Sequence, residues 1–431
     1  AAAPPLAPGP SFAPGGNQAR AAPPGMKLGA TVQGIAPSGT AELQALSKRL
    51  QEEGRKVNSA LLIGEPDYAP PPQVLAAVGE AATKLHTRYT VVQGDTEIRE
   101  AICGYLSEKK GVQYKPDQIC VSNGAKQSVY QAFLAVLDDG DEVLIPTPCW
   151  TSYHDMARLC RAAPVSVDTH VAEGYLLKPE ALEEALRASC GKCKALVLCN
   201  PNNPTGAVLS GDALEALAAV LRKPEFAHVY ILADEIYEQL TFDTKHVSFA
   251  SLDGMQERTL LVGGFSKGWA MTGFRLGYLA ASKLVASAAV KLQSQITSCA
   301  SSLSQYAGVV ALRDVPAEWF AERVVELRKK RDIVLAKLHE IPGVKCRAPQ
   351  GAFYVLPDLS ECLGPDAKDT NQFCNTLLND YGVAMMPGSA FKAPTTVRIS
   401  YAATVENIQH GMDAFAKCLL AMRGSQAGGP G

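Results

Sequence analysis

The string Gly263-Gly-Phe-Ser266-Lys267-Gly-Trp-Ala-Met-Thr-Gly-Phe-Arg275-Leu-Gly277 sets a hydroxyl beside a lysine and an arginine eight residues later. Its small residues let another molecule approach the backbone. A lysine near a phosphate-holding Ser and Arg, shielded by aromatic side chains, suits Schiff-base chemistry, in which the amine must be partly deprotonated to attack a carbonyl. A solvated surface lysine needs no such surroundings.

Three further strings hold residues of matching chemistry. Ser122-Asn-Gly124-Ala125-Lys126-Gln-Ser128 follows an apolar run and precedes a helix expected over 129–137. Backbone N–H groups and the positive end of a helix dipole at such a turn suit an anion, phosphate above all, although a glycine before a helix often serves packing alone. In Cys199-Asn-Pro-Asn-Asn203-Pro-Thr-Gly206 two prolines and a glycine fix the backbone and turn an amide outward; the same residues also make an ordinary Asn/Pro turn. Asp234-Glu-Ile-Tyr237 puts a carboxylate and a phenol at the exit of an apolar strand. A carboxylate in so dry a place needs a partner, either a helix N-terminus or a protonated ring nitrogen, and the spacing does not choose.

These strings stand at the ends of short apolar runs, 119–121, 142–145, 195–198, 229–232, 260–262 and 276–279, separated mostly by helical patterns. Continuous apolar strands with helical crossovers imply a mostly parallel sheet covered on both faces, with ligands gathering at the carboxyl ends of its strands. Before the sheet, Leu43, Leu46 and Leu50 recur at helical spacing behind Thr40, and the prolines of Gly64-Glu-Pro-Asp67-Tyr-Ala-Pro-Pro-Pro72 mark a connection between two units. After residue 310 long helices are expected over 318–341 and 404–422, around short strands near 353–356 and 397–400. The expected division is a linker or transit segment over 1–29, an N-terminal arm and part of the small domain over 30–72, a large domain over 73–310, the rest of a small α+β domain over 311–423 and a mobile tail over 424–431.

Composition bounds the function. The 431 residues, 47% hydrophobic and 19% charged, exclude a small module. A net charge of −2 offers no basic field for nucleic acid, and no run approaches the roughly 18 apolar residues of a membrane span. Neither partner is expected. The twelve cysteines are scattered as in a reduced compartment. Cys190-Gly-Lys-Cys193 has redox or zinc-ribbon spacing without a second pair, so a loop and no metal are expected. Residues 1–29 are rich in Ala, Pro and Gly, and no acidic residue precedes Glu42, which favours an organelle transit segment.

Ser266-Lys267 with Ala270-Met-Thr-Gly-Phe-Arg275-Leu-Gly277, Asn203-Pro-Thr-Gly206 and Asp234-Glu-Ile-Tyr237 together resemble the class I aminotransferases of pyridoxal 5′-phosphate (PLP) fold type I. The resemblance spans residues 31–423. It is closest to the subgroup Ib aspartate aminotransferases, and among these to the plastid enzymes that also use prephenate. The runs Val121-Ser-Asn-Gly-Ala-Lys-Gln-Ser128, Gly264-Phe-Ser-Lys267 and Pro349-Gln-Gly-Ala-Phe-Tyr354 carry that closer match.

The resemblance implies an α/β fold, a large domain with a mostly parallel seven-stranded sheet beside a smaller α+β domain, and PLP as cofactor. Lys267 is implied as the Schiff-base lysine and proton carrier, Asp234 as partner of the pyridinium nitrogen, and Asn203 and Tyr237 as donors to the phenolic oxygen. Gly124, Ala125, Ser266 and Arg275 would hold the phosphate, joined by Tyr89 from a second subunit of a homodimer with shared sites. Trp150 would stack on the ring, and Arg398 would clamp the substrate α-carboxylate opposite Gly64. Lys126 is the implied cation for a second substrate carboxylate, and Thr40 lies in the segment that covers the substrate. Ala36, Val91-Val-Gln93 and Gly268-Trp269 depart from the family pattern and bear on substrate preference. The implied substrates are amino and keto acids: glutamate or aspartate with prephenate, giving arogenate, and aspartate with 2-oxoglutarate, in a plastid. A plain aspartate aminotransferase, an aromatic or kynurenine-type enzyme, and a PLP-fold protein without catalysis are the alternatives. Retention of all six residues Lys267, Asp234, Asn203, Tyr237, Arg275 and Arg398 speaks against the last.

Overall fold

Strands buried on both faces can be apolar throughout, and the computed structural model, which describes residues 27–33, 35, 37, 39–364 and 368–427, builds its main sheet from such strands. They are β1 (Ile119–Ser122), β2 (Glu142–Thr147), β3 (Ala163–Asp168), β4 (Cys193–Cys199), β5 (Tyr230–Asp234), β6 (Thr259–Gly264) and β7 (Gly277–Ala280). Their order is β1-β7-β6-β5-β4-β2-β3, and only β7 runs against its neighbours. The expected seven-stranded, mostly parallel sheet is present. β3 was not foreseen, because Ala-Pro-Val-Ser-Val-Asp is too polar to read as a buried strand; it lies at the sheet edge, where Pro164 is tolerated and one face stays wet.

Helices α1 (Ala30–Gln33), α2 (Gly39–Glu52), α3 (Pro72–Thr83) and α4 (Thr96–Lys110) precede the sheet. Between its strands lie α5 (Ala125–Val136), α6 (Ser152–Leu159), α7 (Pro179–Ala188) and α8 (Gly211–Leu221), and α9 (Lys283–Ile296) and α10 (Ser302–Arg313) follow. The chain ends with α11 (Ala317–His339), β8 (Tyr354–Val355), α12 (Asn371–Tyr381), β9 (Met386–Pro387), β10 (Val397–Ser400) and α13 (Val405–Ala427). β8, β10 and β9 form a second, antiparallel sheet.

Several expected boundaries shift. α5 starts at Ala125, four residues before the apolar periodicity begins, so Gly124 is its N-cap. Pro72, counted with the connection, opens α3, a position where its missing N–H costs nothing. α10 runs through residue 310 to Arg313, and α13 passes residue 424 to Ala427, where a mobile tail was expected. Most of the segment expected to stay unfolded, residues 1–26, lies outside the described residues, as do Ala36 and residues 428–431. Cys190 lies in the turn before β4 and Cys193 begins that strand. Among the described residues no helix is long and apolar enough to cross a membrane.

The two ends of the chain share a core. Leu43 and Leu50 of α2 and Leu62 pack with Leu378, Ala384, Met386 and Phe391. Leu61, fully buried, joins the cluster formed by α11, α12 and α13. Ser400 N–H donates to the Leu61 carbonyl at 2.9 Å and Ala384 N–H to the Asn58 carbonyl at 2.9 Å. Each buried leucine contributes about 1.5–3 kcal/mol, so residues 58–62 are fixed against the second sheet. The next residues, Ile63 to Tyr68, therefore face the carboxyl ends of β5 and β6.

Candidate active site

Between those strand ends and the segment Ile63–Glu65 lies a cavity of about 570 Å³, large enough for a cofactor with a small substrate. Thr40, Gly64, Ala125, Lys126, Trp150, Asn203, Asp234, Tyr237, Ser266, Lys267, Arg275 and Arg398 all line it. Four separate strings of the sequence thus meet in one place. Gly124 stands just behind the lining, against Arg275. Tyr89 does not line the cavity of its own chain; it is 92% exposed.

Lys267 follows β6, and its Nζ donates to the Gly64 carbonyl at 2.5 Å. Burial lowers its pKa to about 8; Arg398 and Arg275 push the same way, while Glu65 and Asp234 oppose them. About a tenth of the amine is then neutral at pH 7, as attack on a carbonyl requires.

One end of the cavity is built for an anion. Gly124 has φ +88°, a conformation glycine adopts without strain, and a Cβ there would stand 2.5 Å from the Arg275 guanidinium. A Cβ on Gly277 would stand 2.4 Å from the Ala125 nitrogen. These glycines let the first turn of α5, the start of β7 and Arg275 converge. Arg275 itself is left-handed (φ +52°), which costs a non-glycine residue about 1–2 kcal/mol, and it is tied down by Nη1–H to the Thr272 carbonyl at 2.8 Å. The helix start, this guanidinium and the hydroxyls of Ser266 and Thr272 fit a phosphate.

At the other side Asp234 ends β5, fully enclosed. Its Oδ2 accepts from Tyr153 Oη at 2.6 Å and its Oδ1 from Ile236 N–H at 3.3 Å. The second bond is a local turn, so no helix N-terminus neutralises the carboxylate. Burial raises its pKa to about 6, although Tyr153 works the other way. Among the described residues no cation forms an ion pair with it. A protonated ring nitrogen is the partner that suits this position. Phosphate cup, low-pKa lysine and dry carboxylate thus match the phosphate, the aldehyde and the ring nitrogen of PLP.

The unpaired carboxylate carries a cost that can be measured. Its folded pKa lies above its unfolded one, so the folded state loses stability as pH rises from about 4 to about 6, and the loss of about 3 kcal/mol persists above that. Asp234→Asn should therefore raise the melting temperature of the PLP-free protein at pH 7. A lower melting temperature would contradict the assignment of Asp234 as an unpaired buried anion.

Asn203 and Tyr237 face the cavity with their other bonds already made. Asn203 Oδ1 accepts from Arg398 Nη1 at 3.2 Å, which leaves the amide donor for a ligand, and Tyr237 Oη lies 3.0 Å from Tyr354 Oη. Arg398 is 4% exposed and lies between the rings of Tyr354 and Phe391, 4.6 and 4.9 Å from their centroids. Its Nη2 donates to the Leu62 carbonyl at 2.8 Å, and its Nε has no partner. A buried guanidinium without a carboxylate calls for one from a ligand. Gly64 is held bare there: a Cβ would stand 2.6 Å from Tyr354 Oη.

Lys126 stands 5.0 Å from the centroid of the Trp150 ring, and burial, then Arg275, lowers its pKa. Thr40, at the start of α2, lines the mouth with its Oγ1 3.9 Å from Met386 Sδ. Tyr153, Tyr354 and Phe391 were not foreseen as site residues. Tyr153 lies three residues after Trp150, a closeness in sequence that could have flagged it; Phe391 gives no comparable signal.

A family model described as aminotransferase class I and II matches residues 59–415. Similar proteins include the bifunctional aspartate aminotransferase and glutamate/aspartate-prephenate aminotransferase of Petunia hybrida, 42% identical over 407 residues, covering 92% of this chain and 84% of that one. The aspartate aminotransferase of Pinus pinaster is 42% identical over 412 residues, covering 93% and 82%. Among solved structures, the aspartate aminotransferase of Thermus thermophilus with maleate is similar with a TM-score of 0.85 at 35% identity, covering 91% of this chain and 100% of that one.

Proposed function

The chain belongs to the class I and II aminotransferases, PLP-dependent enzymes, and on that footing we propose that it transfers the amino group of glutamate or aspartate to prephenate, giving arogenate, and also transaminates aspartate with 2-oxoglutarate. The observation that carries the dicarboxylate reading is the pair of cations in one cavity, Arg398 between two rings and Lys126 beside Trp150. Aspartate, glutamate and prephenate each bear two carboxylates. The Thermus enzyme's structure holds maleate, also a dicarboxylate.

PLP, when bound, supplies a conjugated pyridinium that withdraws the electron pair left when the substrate loses its Cα proton. The chain's own residues do the rest. Arg398 grips the α-carboxylate through parallel N–H bonds and so fixes the amino-bearing carbon near Lys267. Lys267, whose lowered pKa keeps a fraction of its amine neutral, takes the proton from Cα and later returns one. Asp234 keeps a proton on the ring nitrogen, because its dry setting makes a nearby cation favourable. Ser266, Arg275 and the first turn of α5 anchor the phosphate. Trp150 and Tyr237 exclude water from the faces of the site.

The petunia and pine relatives have equal identity and different names, so overall identity does not separate prephenate from plain aspartate use. Rates with prephenate and with oxaloacetate, measured side by side from glutamate, decide. Turnover of prephenate within about tenfold of oxaloacetate supports the proposal, and absence of prephenate turnover selects a plain aspartate aminotransferase. Preference for phenylpyruvate would select the aromatic reading.

The same proposal includes a homodimer. Tyr89, 92% exposed, and Val91, 59% exposed, would enter a partner's interface. It also includes a large domain over 73–310 and a small one over 30–72 and 311–423, supported by the shared core of residues 43–62 and 378–419, and import into a plastid, supported by the acid-free residues 1–29.

A further inference from the structure

Immediately behind the cofactor carboxylate lies a buried cluster of charges that transamination does not use. Lys110, the last residue of α4, pairs through Nζ with Glu235 Oε2 at 2.7 Å and with Glu238, and all three side chains are at most 7% exposed. Glu235 Oε2 also lies 3.2 Å from His246 Nε2, and its Oε1 accepts from Ser248 Oγ at 2.7 Å and from Phe249 N–H at 3.2 Å. Glu238 Oε1 accepts from Tyr105 Oη at 3.0 Å and from Gln239 Nε2 at 2.9 Å. Burial works against the charges, but Lys110 and His246 hold Glu235 well below the usual carboxylate range, and the two carboxylates hold Lys110 well above the usual lysine range. Glu235, Glu238 and His246 have the spacing of a metal site; the Lys110 ammonium already bridges the two carboxylates.

We propose that Lys110, Glu235 and Glu238 are positioning residues for PLP, holding the turn that aims Asp234 and Tyr237 into the cavity. The turn sends its side chains two ways. Asp234 and Tyr237 line the cavity, while Glu235 and Glu238, each one residue further on, point to Lys110. The backbone cannot rotate one pair without displacing the other. Backbone bonds from Glu238 N–H to the Glu235 carbonyl at 3.1 Å and from Leu240 N–H to the Tyr237 carbonyl at 2.8 Å make it one unit. The unit also touches the lysine loop, because a Cβ on Gly268 would stand 2.3 Å from Gln239 Oε1. Tyr105, bonded to Glu238, packs at 5.6 Å on Trp269, two residues after Lys267.

Magnitude favours position over stability. Buried ion pairs repay their desolvation poorly, and apolar replacements are often neutral, whereas fixing one register is their best-attested use. The proposal requires PLP binding and is independent of prephenate: failure with prephenate leaves it standing, and its own failure leaves the substrate reading untouched.

Glu235→Gln, Glu238→Gln, Lys110→Met and Lys110→Arg test it in the full chain. Two quantities are read: the PLP dissociation constant by equilibrium dialysis, and the melting temperature with and without PLP. Glu235→Gln should raise the dissociation constant about tenfold or more. That removes about 1.4 kcal/mol of ligand stabilisation and narrows the gap between loaded and PLP-free melting temperatures. Lys110→Arg, which keeps the charge, should stay within about threefold of the parent. Should Lys110→Met fail to fold, Glu238→Gln gives the same readout with the hydrogen-bonding shape kept. Melting temperatures that fall in parallel with an unchanged dissociation constant would overturn the proposal and leave the cluster a structural element.

Discussion

Lys267→Ala should reduce turnover by at least about 10⁴-fold, the upper range for removing a positioned acid–base group, and remove the visible absorbance that PLP gains on joining the protein. The loss should not come from unfolding. The folded pKa of about 8 lies below the unfolded value, so stability is lost as pH falls from about 10.5 to about 8, and below that the lysine costs the PLP-free protein about 3 kcal/mol. The alanine variant should therefore melt no lower than its parent in the absence of PLP at pH 7. The same shift sets the pH dependence of loading. The rate at which the PLP-free parent takes up PLP covalently should rise through a midpoint near pH 8 and level off above it, as followed by absorbance. A midpoint near 10.5 would show the amine to be solvated, against the burial described here.

Arg398→Lys should lower kcat/KM for every amino and keto acid substrate by about 30-fold to several thousand-fold, the 2–5 kcal/mol expected when a buried charge pair loses its partner geometry. Charge alone does not rescue it. Arg398 is a planar group held between the rings of Tyr354 and Phe391 and bonded to Leu62 and Asn203, whereas lysine offers a point charge that fills neither the slot nor the parallel bonds. PLP affinity should stay within a few-fold, since the phosphate contacts lie elsewhere. Equal losses in PLP binding and in kcat/KM would move Arg398 from substrate to cofactor.

Much of the site was legible because its residues come in short strings at strand ends, where main-chain geometry leaves little choice. Lys267, Asp234 and Asn203 each follow an apolar run, Arg275 directly precedes one, and each lines the cavity. What stayed hidden depends on partners distant in sequence. Glu235 looks like a bystander beside Asp234 until Lys110, 125 residues earlier, is placed against it. Trp269 reads as a departure from the family pattern, yet it is 2% exposed, packs on Phe265 and Phe320, and donates through Nε1 to the Ala311 carbonyl at 2.8 Å. Its bulk is a matter of the core. Gln93, another departure, donates through Nε2 to the Ile119 carbonyl at 2.8 Å and so steadies β1. In the strands, the period-two and apolar signals fail where burial is one-sided, as in β3, or where the strand has two residues, as in β9.

The shared core of the two chain ends sets an order of events during synthesis. Leu43, Leu50 and Leu62 leave the ribosome more than 300 residues before their partners Leu378, Ala384, Met386 and Phe391. Until then these leucines stay open to wrong neighbours, as does any apolar surface in a late-closing chain. Arg398 arrives in the same later stretch. A nascent chain that already owns Lys267 and Asp234 could therefore meet PLP before it can hold an amino acid, and competence comes only when the stretch that carries Arg398 packs onto residues 43–62.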